Sequence, residues 1–213
     1  LKLSDEIHAV PDAYYYNEPL TVFNGEHTML PLMLSMYEIS SAEDAENYVL
    51  LLEDAPRYIG QIEQFEREKA AKGLFMTENA LNKVLESCIK FAETGNNCFL
   101  IGFFEDEMAS AEFEISEQQK TALLERSRNS IINELLPAYR SLANTLEQLR
   151  PQCGSFAGAC MRGVDAKDYY AAAIKSNAAC NAEYSSMADE LSENISSVYA
   201  KLVKIILTDS NAM

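Results

Sequence analysis

Histidine is the side chain that most readily moves protons near neutrality or grips a transition metal, and this chain of 213 residues has two, His8 and His27. A hydrolytic zinc helix needs two histidines one turn apart with a glutamate between them, so that one face holds the metal and activates its water. No His-Glu-x-x-His occurs, and neither histidine has a carboxylate or a second imidazole one turn ahead on a clear helix. His27, within Gly25-Glu26-His27-Thr28, reads as a helix-start residue. The five cysteines (88, 98, 153, 160 and 180) include no Cys-x-x-Cys pair, which makes thiolate zinc binding a poor fit. Cys88 falls on an apolar helix stripe as a small hydrophobe, while Cys153 and Cys160 flank a glycine-rich loop and could pair, although their spacing does not require it. No glycine-rich phosphate turn and no Gly-x-Ser-x-Gly elbow is present, and a thiol nucleophile would have its bases far away at the N-terminus.

Carboxylates are plentiful, as in Glu43-Asp44, Glu105-Asp106-Glu107 and Asp189-Glu190. A helical di-metal site needs Glu-x-x-His in addition, and that half is missing, so these acids read as helix caps and solvated faces. Two clusters retain chemical interest. Pro137-Ala138-Tyr139-Arg140 sets a planar guanidinium beside a proline bend, where exposed backbone carbonyls and a cavity are expected. Lys167-Asp168-Tyr169-Tyr170 sets two phenols just after the glycine-rich loop, where hydroxyls bond a peptide or polarise a carbonyl; the alternative is that they pack a helix with their hydroxyls at the surface. Arg140, Tyr169 and Tyr170 are therefore the candidate substrate-binding residues, with no catalytic and no metal residue to set beside them.

The elements that must position them are helices. Ser41 precedes Ala42-Glu43-Asp44, a hydroxyl cap followed by acids that suit the helix dipole. Tyr48, Leu51, Leu52 and Ala55 then share a face, and Pro56 is expected to kink or restart the helix before Tyr58, Ile59, Ile62 and Phe65 continue the stripe to a stop at Gly73. Thr77 caps a helix carrying Leu81, Val84, Leu85, Cys88, Ile89 and Ala92, which ends near Gly95. Ser116-Glu117-Gln118-Gln119 is a capping box opening a long stretch marked by Leu124, Ile131, Leu135, Tyr139, Leu142, Leu146 and Leu149, with a bend expected near Asn133 because of Pro137. A short helix from about Ala166 to Lys175 follows the Gly/Cys loop, and a last one carries Tyr184, Met187, Leu191, Ile195, Val198, Leu202 and Ile206. Asn194-Ile195-Ser196 matches a glycosylation triplet but lies mid-helix. The expected fold is all-α, an irregular bundle of about six to eight helices with one long kinked helix. Residues 1–25, with Pro11, Pro19 and Tyr14-Tyr15-Tyr16, read as an irregular arm with short extended pieces, and residues 26–213 as a single helical domain.

An apolar share of 48% supports a real core, and 33 acidic against 17 basic side chains give a net charge of −16. Phosphate backbones and anionic membrane surfaces repel such a chain, so nucleic acid is not an expected partner. No apolar run approaches the roughly 18 residues that span a bilayer. The chain opens at Leu1 with neither an initiator Met nor a charged-then-apolar segment, and the expectation is a processed or trimmed chain.

At these residues the chain resembles a bacterial family, the one catalogued as domain of unknown function 885. The likeness is carried by Ala42-Glu43-Asp44-Ala45-Glu46-Asn47-Tyr48, by Tyr58-Ile59 through Glu66-Arg67-Glu68-Lys69, by Gly73-Leu74-Phe75-Met76, by Leu136-Pro137-Ala138-Tyr139-Arg140 and by Asp168-Tyr169-Tyr170. Where the family usually has a Pro-Gly turn before its Tyr-Tyr pair, this chain has Gly163-Val164-Asp165-Ala166. The resemblance implies an exported or lipid-anchored, helical zinc metallopeptidase whose metal motif lies in a C-terminal half outside this chain. On that reading the chain is a fragment with no cofactor of its own, zinc belonging to the full-length protein. Its partners are the missing C-terminal half, a peptide substrate, and further copies of itself through the exposed docking face. The rival expectation is a non-catalytic binding module of a bacterial surface protein.

Overall fold

Three helices begin at hydroxyls that accept their otherwise unpaired amides. Ser41 Oγ accepts from Asp44 N at 3.1 Å and Thr77 Oγ1 from Ala80 N at 3.4 Å. Ser116 and Gln119 close a reciprocal capping box, each side chain accepting from the other's backbone N–H at 3.3 Å. In the computed structural model, residues 10, 12–156, 158, 161–163, 165–178 and 184–209 are described; His8, Cys160 and Cys180 lie outside them. The helices are α1 (Glu26–Leu34), α2 (Ala42–Ala71), α3 (Glu78–Ala92), α4 (Phe99–Ala109), α5 (residues 117–148), α6 (Ala166–Ala178) and α7 (Tyr184–Asp209). The fold is all-α, and among the described residues the one β-type pairing is an isolated bridge between Thr77 and Gly154.

The chain divides into two compact units, one of Tyr15–Ala157 and one joining Leu1–Tyr14 to Gly158–Met213. The larger is built on α2 and α5. Arg126 of α5 grips Glu46 and Glu53 of α2, taking Glu53 with two parallel N–H bonds of 3.0 Å. Further along, Glu63 of α2 accepts from Ser141 and Thr145 of α5, and Arg67 donates to Thr145. Both sets of numbers rise together, so α2 and α5 run parallel. Helix α3 runs antiparallel to the second half of α5, with Arg150 reaching Glu78 and Asn82 at one end and Phe91 meeting Tyr139 at the other. Helix α4 lies on the first half of α5, and α1 packs on α2 and α3. Tyr48, Leu52, Ile59, Leu81, Phe104, Met108, Ile131, Leu135 and Leu142 are among the fully buried side chains of the shared core, each worth about 1.5–3 kcal/mol removed from water.

Several expectations are corrected. Ala13–Tyr16 is a 3₁₀ turn rather than extended chain, closed by the Ala13 amide on the Val10 carbonyl. Leu51 and Ile89, placed on apolar stripes, are exposed, and Leu123 rather than Leu124 is the buried residue at the start of α5. Pro56 does not restart its helix; α2 continues through it for 30 residues, because Leu52, Ala55 and Ile59 on either side are held in the core. Pro137 does disturb its helix, as a π-helical turn at Ser130–Leu135 where a bend was expected. Pairing that reaches five residues on instead of four can pass over the amide that proline lacks. Gly73 ends α2 with φ +72°, and the Gly73 and Leu74 amides return to the Ala70 and Lys69 carbonyls in a Schellman closure.

Pro31 removes the amide that would pair with the His27 carbonyl inside α1. The Tyr139 hydroxyl donates to that carbonyl at 2.9 Å, deep in the core. Tyr139→Phe therefore leaves a buried acceptor without this partner and is expected to lower stability by about 1–3 kcal/mol, read as a drop in urea midpoint at unchanged slope.

Candidate functional site

The buried stripe of α2 runs Leu52, Ala55, Ile59, Ile62 and then, at the same three- and four-residue spacing, reaches Glu66 and Lys69. Both charged side chains are fully buried, with 0% exposure. Lys69 Nζ donates to Glu66 Oε1 at 3.2 Å and to Glu18 Oε2 at 3.1 Å, so one ammonium sits between two carboxylates. Burial raises the Glu66 pKa and lowers that of Lys69, and their mutual attraction opposes both shifts. Glu66 Oε2 has no hydrogen-bond partner. Aromatic rings wall the group: Lys69 Nζ lies 5.7 Å from the Phe65 ring, Tyr15 stacks on Phe65 at 5.8 Å and donates its hydroxyl to Glu68, and the Lys72 ammonium sits 5.0 Å above Tyr15. The chain then turns at Gly73 into the buried run Leu74-Phe75-Met76, where the Gly154 amide donates to the Met76 carbonyl at 3.0 Å. A Cβ on Gly154 would fall 2.3 Å from the Phe156 ring, so a side chain there requires that ring to move. A buried ammonium–carboxylate pair whose members are both shifted by burial is an arrangement found where proteins do chemistry.

His27, second residue of α1, is 2% exposed with neither ring nitrogen hydrogen-bonded. Burial pushes its pKa down to about 4. Its ring lies over Gly25, where a Cβ would come within 2.6 Å of Nδ1.

The three residues singled out for substrate contact do not form one site in either unit. Arg140, on α5, is exposed and donates from Nη2 to the Ala92 carbonyl, the last residue of α3, at 3.2 Å. That contact places positive charge at a helix C-terminus, where the dipole favours it. Tyr169 and Tyr170 share the first turns of α6 in the smaller unit, half-buried and exposed respectively, with the Tyr169 amide on the Asp165 carbonyl at 3.0 Å. Cys153 is a free thiol, as are Cys88 and Cys98; burial raises Cys88 to about 12. Beside the π turn an open hollow of about 530 Å³ is lined by Glu53, Glu125, Arg126 and Glu134. Among the described residues no three His, Cys, Asp or Glu side chains gather to share a cation. No helix among them is long and apolar enough to cross a membrane.

Glu66 and Lys69 went unassigned in the sequence reading, although the signal was there: they occupy stripe positions where Ile, Leu or Val is the rule.

The family model described as "Bacterial protein of unknown function (DUF885)" matches residues 2–206. None of the curated proteins matches the chain. Among solved structures, one described as a "putative lipoprotein" from Colwellia psychrerythraea superposes with a TM-score of 0.67 at 19% identity. The match covers 74% of this chain and 27% of that one, so the chain spans about a quarter of the length of that relative. At this identity the likeness shows a shared fold.

The buried imidazole makes acid a specific threat. Between pH 6.5 and about 4 the unfolded chain binds a proton at His27 that the folded chain does not, so this contribution to stability is complete above 6.5 and lost as pH falls through that window. The loss amounts to about 3 kcal/mol. Comparing urea midpoints at neutral pH and near pH 4, the wild-type chain should lose about that much more than His27→Phe.

Proposed function

The chain belongs to the DUF885 family of bacterial proteins of unknown function, and we propose that it is the non-catalytic, N-terminal helical portion of a longer peptidase-like protein, one wall of a cleft that holds a peptide. The observation that carries this reading is Arg140. Its guanidinium is exposed yet anchored by one N–H bond to the end of α3, which leaves further donors of the planar fork for a carboxylate. On this reading Tyr169 and Tyr170, in the smaller unit, offer hydroxyls of their own to a peptide, and a hydrolytic zinc is held by polypeptide beyond this chain. The span of about a quarter of the solved relative is consistent with a larger whole. The description of that relative as a lipoprotein supports placing the longer protein outside the cytoplasm, exported or lipid-anchored.

Two measurements test it. Purified chain dialysed against zinc should retain far less than one ion per chain and cleave no peptide; near-stoichiometric zinc overturns the non-catalytic reading. Tri-alanine with a free C-terminus should bind more tightly than its C-terminal amide, and Arg140→Ala should erase a preference of roughly tenfold, or about 1.4 kcal/mol. Equal binding of the two peptides to the unaltered chain rules out Arg140 as the carboxylate contact.

A further inference from the structure

The π turn of α5 decides what faces the hollow beside it. Glu125 and Glu134 are nine residues apart, which in an uninterrupted α-helix is about two and a half turns and puts them on opposite sides. A π turn closes on the fifth residue instead of the fourth. Asn129 and Glu134, five apart across Ser130–Leu135, are therefore neighbours as residues four apart are in ordinary helix. Glu125, Asn129 and Glu134 come to share one side, and all three line the open hollow of about 530 Å³, with Glu53 of α2 contributing from the facing helix. Ser130 lies deeper in the same hollow, 2% exposed. We propose that this hollow binds an organic polycation, a chain of primary ammonium groups of the kind carried by a polyamine or by a lysine-rich peptide.

The charges select a cation. Arg126, which also lines the hollow, is committed to Glu46 and Glu53. Glu125 and Glu134 form no ion pair among the described residues. Three carboxylates against one guanidinium leave the lining with an excess of two negative charges. The Ser130 hydroxyl points independently to a ligand. A serine within a helix commonly donates to the carbonyl one turn back, yet Ser130 makes no such bond and no other among the described residues, although it is almost wholly enclosed. Polar groups at that depth are as a rule paired, and an ammonium entering the hollow donates to this oxygen. Spread and size favour an organic cation over a metal ion. No three ligating side chains gather among the described residues, whereas methylene spacers let separate ammonium groups meet separate carboxylates. The net charge of −16 draws such a ligand in from a distance.

Isothermal titration calorimetry of the full chain at low salt should show saturable binding of spermidine, and of acetylated tri-lysine amide in competition with it. Glu125→Gln combined with Glu134→Gln should weaken both roughly tenfold. Glu112→Gln combined with Glu114→Gln makes the same change in net charge at two exposed carboxylates outside the hollow, and should leave the affinities unaltered. Ser130→Ala should weaken binding roughly threefold to fivefold. The four acids are exposed, and circular dichroism with a urea midpoint confirms that each variant keeps its fold. The tighter probe names the source, free polyamine or basic polypeptide, and either order supports the site. Equal weakening by the two pairs of substitutions means that net charge alone attracts the cation, and overturns the proposal. So does a chain that takes up neither probe, or a folded Ser130→Ala chain that binds as tightly as the unaltered one.

Discussion

The larger unit is tied together at the Tyr139 hydroxyl. A proline inside α1 leaves the His27 carbonyl without its helical donor, and the Tyr139 hydroxyl on the buried face of the second half of α5 supplies it. Because the donor comes from a ring that also meets Phe91 of α3 at 4.5 Å, three helices converge on a single hydrogen bond. The neighbouring Arg140 makes a second tie, to the end of α3. Water cannot substitute at such depth, which gives the polar contact more weight than its geometry alone suggests.

Much of this arrangement was legible in the residues. Ser41, Thr77 and Ser116 announced their helices because an N-cap is a local matter, settled within four residues. Gly73 announced a stop because few residues other than glycine accept a positive φ cheaply. Pro56 misled because a helix deprived of one bond survives when its flanking side chains are buried, and burial is decided by distant partners. Leu51 and Ile89 misled for a related reason: an apolar residue at the edge of a stripe goes inside or outside according to the width of the facing groove, which periodicity does not encode.

The candidate site was legible only in part. Arg140 was readable as a guanidinium beside a proline, but its bond to Ala92 depends on how α3 meets α5, about fifty residues apart in sequence. Glu66 and Lys69 are the hidden part, since charged residues on an amphipathic helix ordinarily belong to its wet side. Their enclosure depends on Glu18, which arrives from a segment with no periodicity to read. Removing Lys69 would strand the Glu66 carboxylate in the interior, which is far more costly than never having placed charge there at all.

The π turn at Ser130–Leu135 carries a consequence for how this fold tolerates change. A wider turn is what a helix shows when it holds one residue more than its neighbours require, and that surplus rotates everything downstream. On one side of it α5 offers Arg126 to α2; on the other it offers Tyr139 to α1 and Thr145 to α2. The two halves are thus phased independently, as two shafts joined by a clutch. A one-residue change in length can be absorbed at this turn, whereas the same slip between it and Tyr139 would swing the tyrosine away from the carbonyl it serves.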